Sequence, residues 1–211
     1  MAVGTELPSI GPFAILIKRL RAKGLDKLKK INMKRHLPWS ITNNELSTRA
    51  AHGWALDLGV HDAGLLRSAL GEAKSVEATG ENRYDMPQLL KMKFNYADSD
   101  AIVECEVGAS PDHKDFHHSF EVEWTDGSAL SFNQHKSDTL IEFDGPNGTV
   151  VPVTRTMQET FGEAIRVVTD FFRGHRPNAG HFDAQHHVDT LRVLKKAQES
   201  AASKGVAVML A

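Results

Sequence analysis

One cysteine, Cys105, stands in 211 residues. An internal disulfide is therefore excluded, and a lone thiol fits a reducing compartment. Long apolar runs are missing too. The early stretch Pro12 to Ile17 is too short to span a bilayer, and its basic residues follow it, whereas a secretion signal carries them ahead of its apolar core. Charge of one sign is also absent. Lys and Arg number 25 against 27 Asp and Glu, a net charge of −2, which argues against a nucleic-acid or anionic-membrane surface as the main partner. The basic run from Lys18 to Arg35 is local and reads as a solvated helix face and strand edge. The simplest location is the cytoplasm.

With 41% hydrophobic and 25% charged residues, the chain has enough apolar side chains to bury one sizeable core, so residues 1–211 read as a single domain. Residues 1–11 read as a flexible or linker segment. The patterning expects a helix over 12–23 and a strand from about Lys29 to Leu37, ended with help from Pro38. A loop or short helix runs to His52, and a helix follows from about Trp54 to Leu70. Alternating segments come next: Leu90 to Tyr96, Ile102 to Val107, Phe116 to Trp124 and Ala129 to Gln134, the last two joined by Asp126-Gly127. Cys105 lies within this alternation and reads as a packed thiol. Leu140 to Phe143 and Thr149 to Val153 flank a Gly-Pro-Asn-Gly turn. Apolar residues at 157, 161, 165, 168 and 172 keep a helical period. Strands between terminal helices give an α+β fold class: an open-faced, mixed, largely antiparallel sheet with helices packed on one face. The alternation also places Phe120, Val122, Trp124, Leu130 and Phe132 on one sheet face, which needs a cover.

The most informative stretch is Gly53-Trp54-Ala55-Leu56-Asp57-Leu58-Gly59-Val60-His61. Asp57 and His61 are four apart on a helix and share a face. A carboxylate can fix an imidazole in one tautomer and raise its basicity, the equipment of a proton-abstracting histidine. A solvated surface pair is the alternative reading of the same spacing.

The pattern Gly-x-x-x-Asp-x-Gly-x-His, followed by Leu65-Leu66, Gly71 and the strand Lys74-Ser75-Val76-Glu77-Ala78, resembles the C-terminal domain of the glucose–fructose oxidoreductase / inositol dehydrogenase family. Further landmarks agree: Ala14 to Leu20 with Gly24 to Ile31 at the entry, Phe161 to Arg173 as a helix, and Leu191 to Ala201 within a closing helix from Asp183 to Ser203. The resemblance covers the chain from about residue 12. It implies that His61 is the general base, Asp57 a catalytic or orienting carboxylate, and His36 and Trp39 part of a substrate wall, with Trp39 placed to stack on a sugar ring. It also implies a homo-oligomer formed through the open sheet face.

The sequence departs from the family in what it omits. No Gly-x-Gly-x-x-Gly turn precedes the motif, the family's Glu-Lys-Pro segment is absent, and Gly64 stands where the family usually carries an aspartate. A dinucleotide site is therefore not expected on this chain alone; NAD(P) would enter only with a Rossmann-type nucleotide-binding subunit acting in trans. Three functions stay open: the substrate half of a sugar or cyclitol oxidoreductase, a non-redox derivative serving as a binding or assembly module, and a cofactor-independent acid/base enzyme on a carbohydrate. Eleven histidines raise the question of a metal. His113, His117 and His118 form one cluster and His175, His181, His186 and His187 another, but no ligand spacing stands out, so no metal site is expected.

Overall fold

A computed structural model describes residues 11–134, 139–144, 147–152, 165–166, 169–170, 172–174 and 184–210. The expected linker up to residue 10, the Gly145-Pro146 turn, most of the helix expected over 157–172 and the first residue of the expected closing helix lie outside them.

Helix α1 (Gly11–Lys23) leads through a 3-10 turn at Leu25–Lys27 into β1 (Leu28–His36). Two short helices, α2 (Trp39–Thr42) and α3 (Glu45–Ala50), precede the motif helix α4 (Trp54–Leu70). Then come β2 (Ser75–Arg83), β3 (Met86–Tyr96), β4 (Ser99–Gly108), β5 (His117–Trp124), β6 (Ala129–Asn133), β7 (Thr139–Asp144) and β8 (Asn147–Val151). Helix α5 (Ala184–Ala202) and the short β9 (Val208–Met209) close the chain.

The strands form one sheet in the order β8-β7-β6-β5-β1-β4-β3-β2-β9. Among the described residues only β1 and β4 pair in parallel; the other pairings are antiparallel. This is the mixed, largely antiparallel sheet that the patterning implied. Helices α1, α4 and α5 lie on one face.

Alternation decides what each face holds. Ile31 and Met33 of β1, Val103, Cys105 and Val107 of β4, Leu90, Met92 and Phe94 of β3, and Phe120, Val122 and Trp124 of β5 are all buried. At roughly 25 cal/mol per Å² of apolar surface removed from water, this seam is the main source of stability. Cys105 belongs to it: burial pushes the thiol well up, and it acts as packing.

The cover that the apolar sheet face needs comes from the chain's own helices. Phe120, Val122, Trp124, Leu130 and Phe132 face the helices. Phe13 of α1 packs edge-on against Phe120 and Phe132, with ring centroids 5.4 and 5.8 Å away, and Lys23 sits over Trp124 at 4.8 Å. Alternation separates two faces without saying which one receives the helices. The other face carries columns of alternating sign: Glu121 and Glu123 on β5, Lys30 and Lys34 on β1, Glu104 and Glu106 on β4, Lys91 and Lys93 on β3, and Glu77 on β2. Their register sets Lys34 and Lys91 beside Glu106, and Glu104 and Glu77 beside Lys93. A depression of about 380 Å³ opens among the β1, β4, β3 and β2 columns.

Candidate active site

The motif helix begins where the backbone leaves room for nothing larger than hydrogen. Gly53 has φ 92°, and a Cβ there would meet the Pro87 carbonyl at 2.6 Å. Gly59, in the middle of the motif, lets Leu194 of α5 close on α4; a Cβ would lie 2.9 Å from the Leu194 methyl. Both motif glycines thus have a packing reason. Gly53→Ala is expected to cost about 2–3 kcal/mol through strain and overlap, read as a lower urea midpoint.

From this start Asp57 projects into solvent and His61, one turn on, is half-buried. They share a helix face, yet among the described residues no hydrogen bond or ion pair joins them. Among the described residues, carboxylate–imidazole contacts form elsewhere, and one of them is fully buried. Asp62, fully buried, accepts from His118 Nε2 at 3.2 Å through Oδ1, and Arg35 Nη1 lies 3.5 Å from its Oδ2. Phe13 stacks on His118 at 4.3 Å, and Phe116 meets it edge-on at 6.3 Å. α1, α4, β1 and β5 therefore meet at one buried polar cluster.

Burial alone would raise the Asp62 carboxyl, but the His118 hydrogen bond and the neighbouring positive charges, with Arg35 the permanent one, carry it below the usual value. Burial lowers His118, and the Asp62 contact only partly offsets this. At neutral pH the cluster is an ionised Asp62 held between the Arg35 cation and a neutral imidazole.

This cluster escaped the sequence reading, although each member leaves a trace. Asp62 interrupts the apolar stripe Leu58, Leu65, Leu66 of α4. His118 precedes Phe120, Val122 and Trp124 in the same alternation, and Arg35 follows Ile31 and Met33. A charged side chain on a core-facing register is rarely accidental, because an unpaired buried charge is costly.

The expected substrate wall is not brought to this cluster. Arg35 turns toward α4, so the next residue, His36, turns to the opposite face of the sheet. There its Nε2 lies 2.9 Å from Glu106 Oε1, and its ring stacks on His113 at 3.7 Å, 11° from parallel. The sheet separates His36 from the α4 pair. Trp39 opens α2, and its ring lies under the Arg83 guanidinium at 4.5 Å. Tyr84 completes the clasp, donating to the Asn43 carbonyl at 3.3 Å and lying 5.0 Å from Arg83. Trp39 thereby fastens the β2–β3 hairpin tip to α2.

Donor atoms of His36, Glu106 and His113 lie within 4.8 Å of one another, the spacing of a loose metal site. Two features oppose shared ligation. Ring lone pairs lie in the ring planes, and two nearly parallel planes 3.7 Å apart cannot aim both at one ion. In addition, His113 Nδ1 accepts the Ser110 N–H at 3.0 Å, which leaves the proton of the neutral ring on Nε2. His186 is equally committed: Arg67 reaches its Nδ1 at 2.9 Å, while its Nε2 meets Ser68 Oγ at 3.0 Å and the Gly64 carbonyl at 3.2 Å.

The stacked histidines give a pH-linked expectation. Burial, then the neighbouring His36, push His113 down to about 4. An unfolded chain protonates this ring near 6.5, so between about 6.5 and 4 the unfolded state binds more protons and stability falls as pH falls. His113→Gln is expected to flatten that part of the urea-midpoint profile, measured across the same range. On the same face, Glu106 is lowered to about 2, chiefly by its close contact with His36.

Known structures share this fold. Levoglucosan dehydrogenase in complex with NADH and levoglucosan superposes with a TM-score of 0.78 at 18% identity, over 99% of this chain and 65% of its own. An inositol dehydrogenase homologue from Azotobacter vinelandii, complexed with NADH and myo-inositol, gives 0.76 at 15% identity, over 99% and 64%. An oxidoreductase from Agrobacterium radiobacter with NAD+, L-tartaric acid and magnesium gives 0.77 at 13%, over 99% and 64%. The chain has the fold of the C-terminal domain of these oxidoreductases. It spans just under two thirds of their length. No family model matches the sequence, and no curated protein does. No described helix is long and apolar enough to cross a membrane.

Proposed function

We propose that this chain is the substrate-binding half of a sugar or cyclitol oxidoreductase, completed by a nucleotide-binding domain in trans. The observation that carries the reading is the fold likeness to dehydrogenases of which this chain spans just under two thirds, together with Asp57 and His61 on one face at the start of α4. In this role His61 takes the hydroxyl proton of a bound polyol, and Asp57 orients the ring or the substrate. A nicotinamide held by the partner would accept the hydride; this chain contributes the base. The test is calorimetric titration with NAD(H), NADP(H) and cyclic polyols, with and without a candidate nucleotide-binding subunit. Hydride transfer that depends on the subunit and falls at least 100-fold in His61→Ala is the expected result. Polyol binding that no subunit turns into redox chemistry would reverse it.

The proposal includes a homo-oligomer through the open face, now argued from charge. If two copies pack face to face about a two-fold axis running between β1 and β4, β1 lies over the partner's β4 and β3 over its β5. The lysine columns of β1 and β3 then meet the glutamate columns of β4 and β5. An axis along β4 itself would set the β1 and β3 lysines against each other. Association is expected to weaken between low and ~0.5 M salt, since the contacts are screened; sedimentation velocity reads the change, and an unchanged oligomer would refute the charge pairing.

A further inference from the structure

A second cavity, of about 410 Å³, lies between α5 and the β2–β3 hairpin. Pro87 and Leu90, both buried, form its floor. Its wall along α5 runs from Lys195 to Ala202, about 10 Å of helix and the length of about three extended residues. Two charges of opposite sign border it, and among the described residues neither Lys195 nor Asp85 makes an ion pair. Glu199, also on the rim, is already held by Lys196 Nζ at 2.8 Å. The hairpin adds backbone groups. On the outer edge of β2, Val76 pairs with β9, and the Ala78 N–H donates to Ser200 Oγ at 2.8 Å. Every second residue of an antiparallel strand turns its N–H and C=O to the same side. Gly80 and Asn82, which line the cavity, therefore present theirs outward too, where no described strand takes them. A Cβ at Gly80 would lie 2.9 Å from Leu90 Cδ2, so glycine keeps the apolar floor close beneath this edge.

We propose that this cavity binds a short extended peptide with free ends and an apolar side chain, about three residues long. Each feature selects one part of that ligand. An unpaired strand edge recognises an amide backbone, so the peptide exchanges hydrogen bonds with Gly80 and Asn82. The apolar side chain covers Pro87 and Leu90, a gain that a sugar or polyol lacks. The ammonium end faces Asp85, and the carboxylate end faces Lys195. At the small end of ligand sites, which run to roughly 1,000 Å³, the cavity suits a peptide rather than a folded partner. The site is independent of the oxidoreductase reading and uses neither Asp57 nor His61.

Amide NMR of the full chain, titrated with the tripeptide alanyl-leucyl-alanine, tests this. The expected result is movement of the Gly80 and Asn82 amide resonances, slower hydrogen exchange at Gly80, and no movement at Asp57 or His61. Lys195→Gln and Asp85→Asn are each expected to weaken binding about fivefold, near the upper range for an exposed ion pair. Asparagine tolerates the left-handed φ of 61° at position 85, so the turn is kept. The same tripeptide acetylated and amidated at its ends is expected to bind more than about tenfold weaker, since both ion pairs are lost. Should either variant fail to fold, the capped peptide on the wild-type chain decides the matter. Gly80 and Asn82 amides unmoved at millimolar tripeptide, or movement confined to another face, would overturn the proposal. A capped peptide that binds as well as the free one would overturn it too.

Discussion

Asp62→Ala is expected to destabilise the chain by about 3–5 kcal/mol, the usual cost of removing one partner from a buried ion pair. The loss arises because Arg35 keeps its charge in a place prepared for a counter-ion, while His118 loses the acceptor for its Nε2–H. Urea unfolding followed by circular dichroism measures it. Removing both charges together, in Asp62→Leu with Arg35→Met, is expected to recover a large part of the loss, since well-packed apolar residues often replace buried pairs at little cost. A single variant as stable as wild type would show that the pair is not coupled to the fold.

Phe13→Ala is expected to be comparably severe, about 3–5 kcal/mol, the range for truncating a buried phenylalanine. Phe13 is 2% exposed and joins His118, Phe120 and Phe132 under α1. Its loss leaves a cavity beside the polar cluster, so water can reach His118 and lift its proton affinity toward the ordinary value. Phe13→Leu, which keeps most of the volume, is expected to cost less. A denaturation series with both variants checks the order.

Much of the architecture was legible in the sequence because period and punctuation agreed. The 3.6-residue period from Trp54 to Leu70 and the alternation from Leu90 to Asn133 each mark an element, and the glycines and prolines around them mark its ends. The hairpin between β2 and β3 was not legible: its turn uses Tyr84 and Asp85, both with left-handed φ of 52° and 61°, where an Asn-Gly or Asp-Gly pair is the recognisable form. The site was legible in part. Spacing brought Asp57 and His61 to one helix face, but spacing cannot reveal a bond across the fold. Asp62 and His118 are 56 residues apart, and no local pattern joins them. His36 and Trp39 were assigned by position near a strand end, without regard to the parity that turns Arg35 and His36 to opposite faces.

The placing of β1 has a consequence for how the chain acquires its form. This strand is made before both its neighbours, which come much later in the chain: Lys30 pairs with Ile102 on one side and Glu123 on the other. Until residue 124 has left the ribosome, the middle of the sheet cannot be assembled, and Ile31 and Met33 wait without a hydrophobic home. Such distant pairing slows folding and prolongs exposure of apolar segments. Nascent chains stalled between β4 and β5 should therefore be the ones that chaperones hold longest.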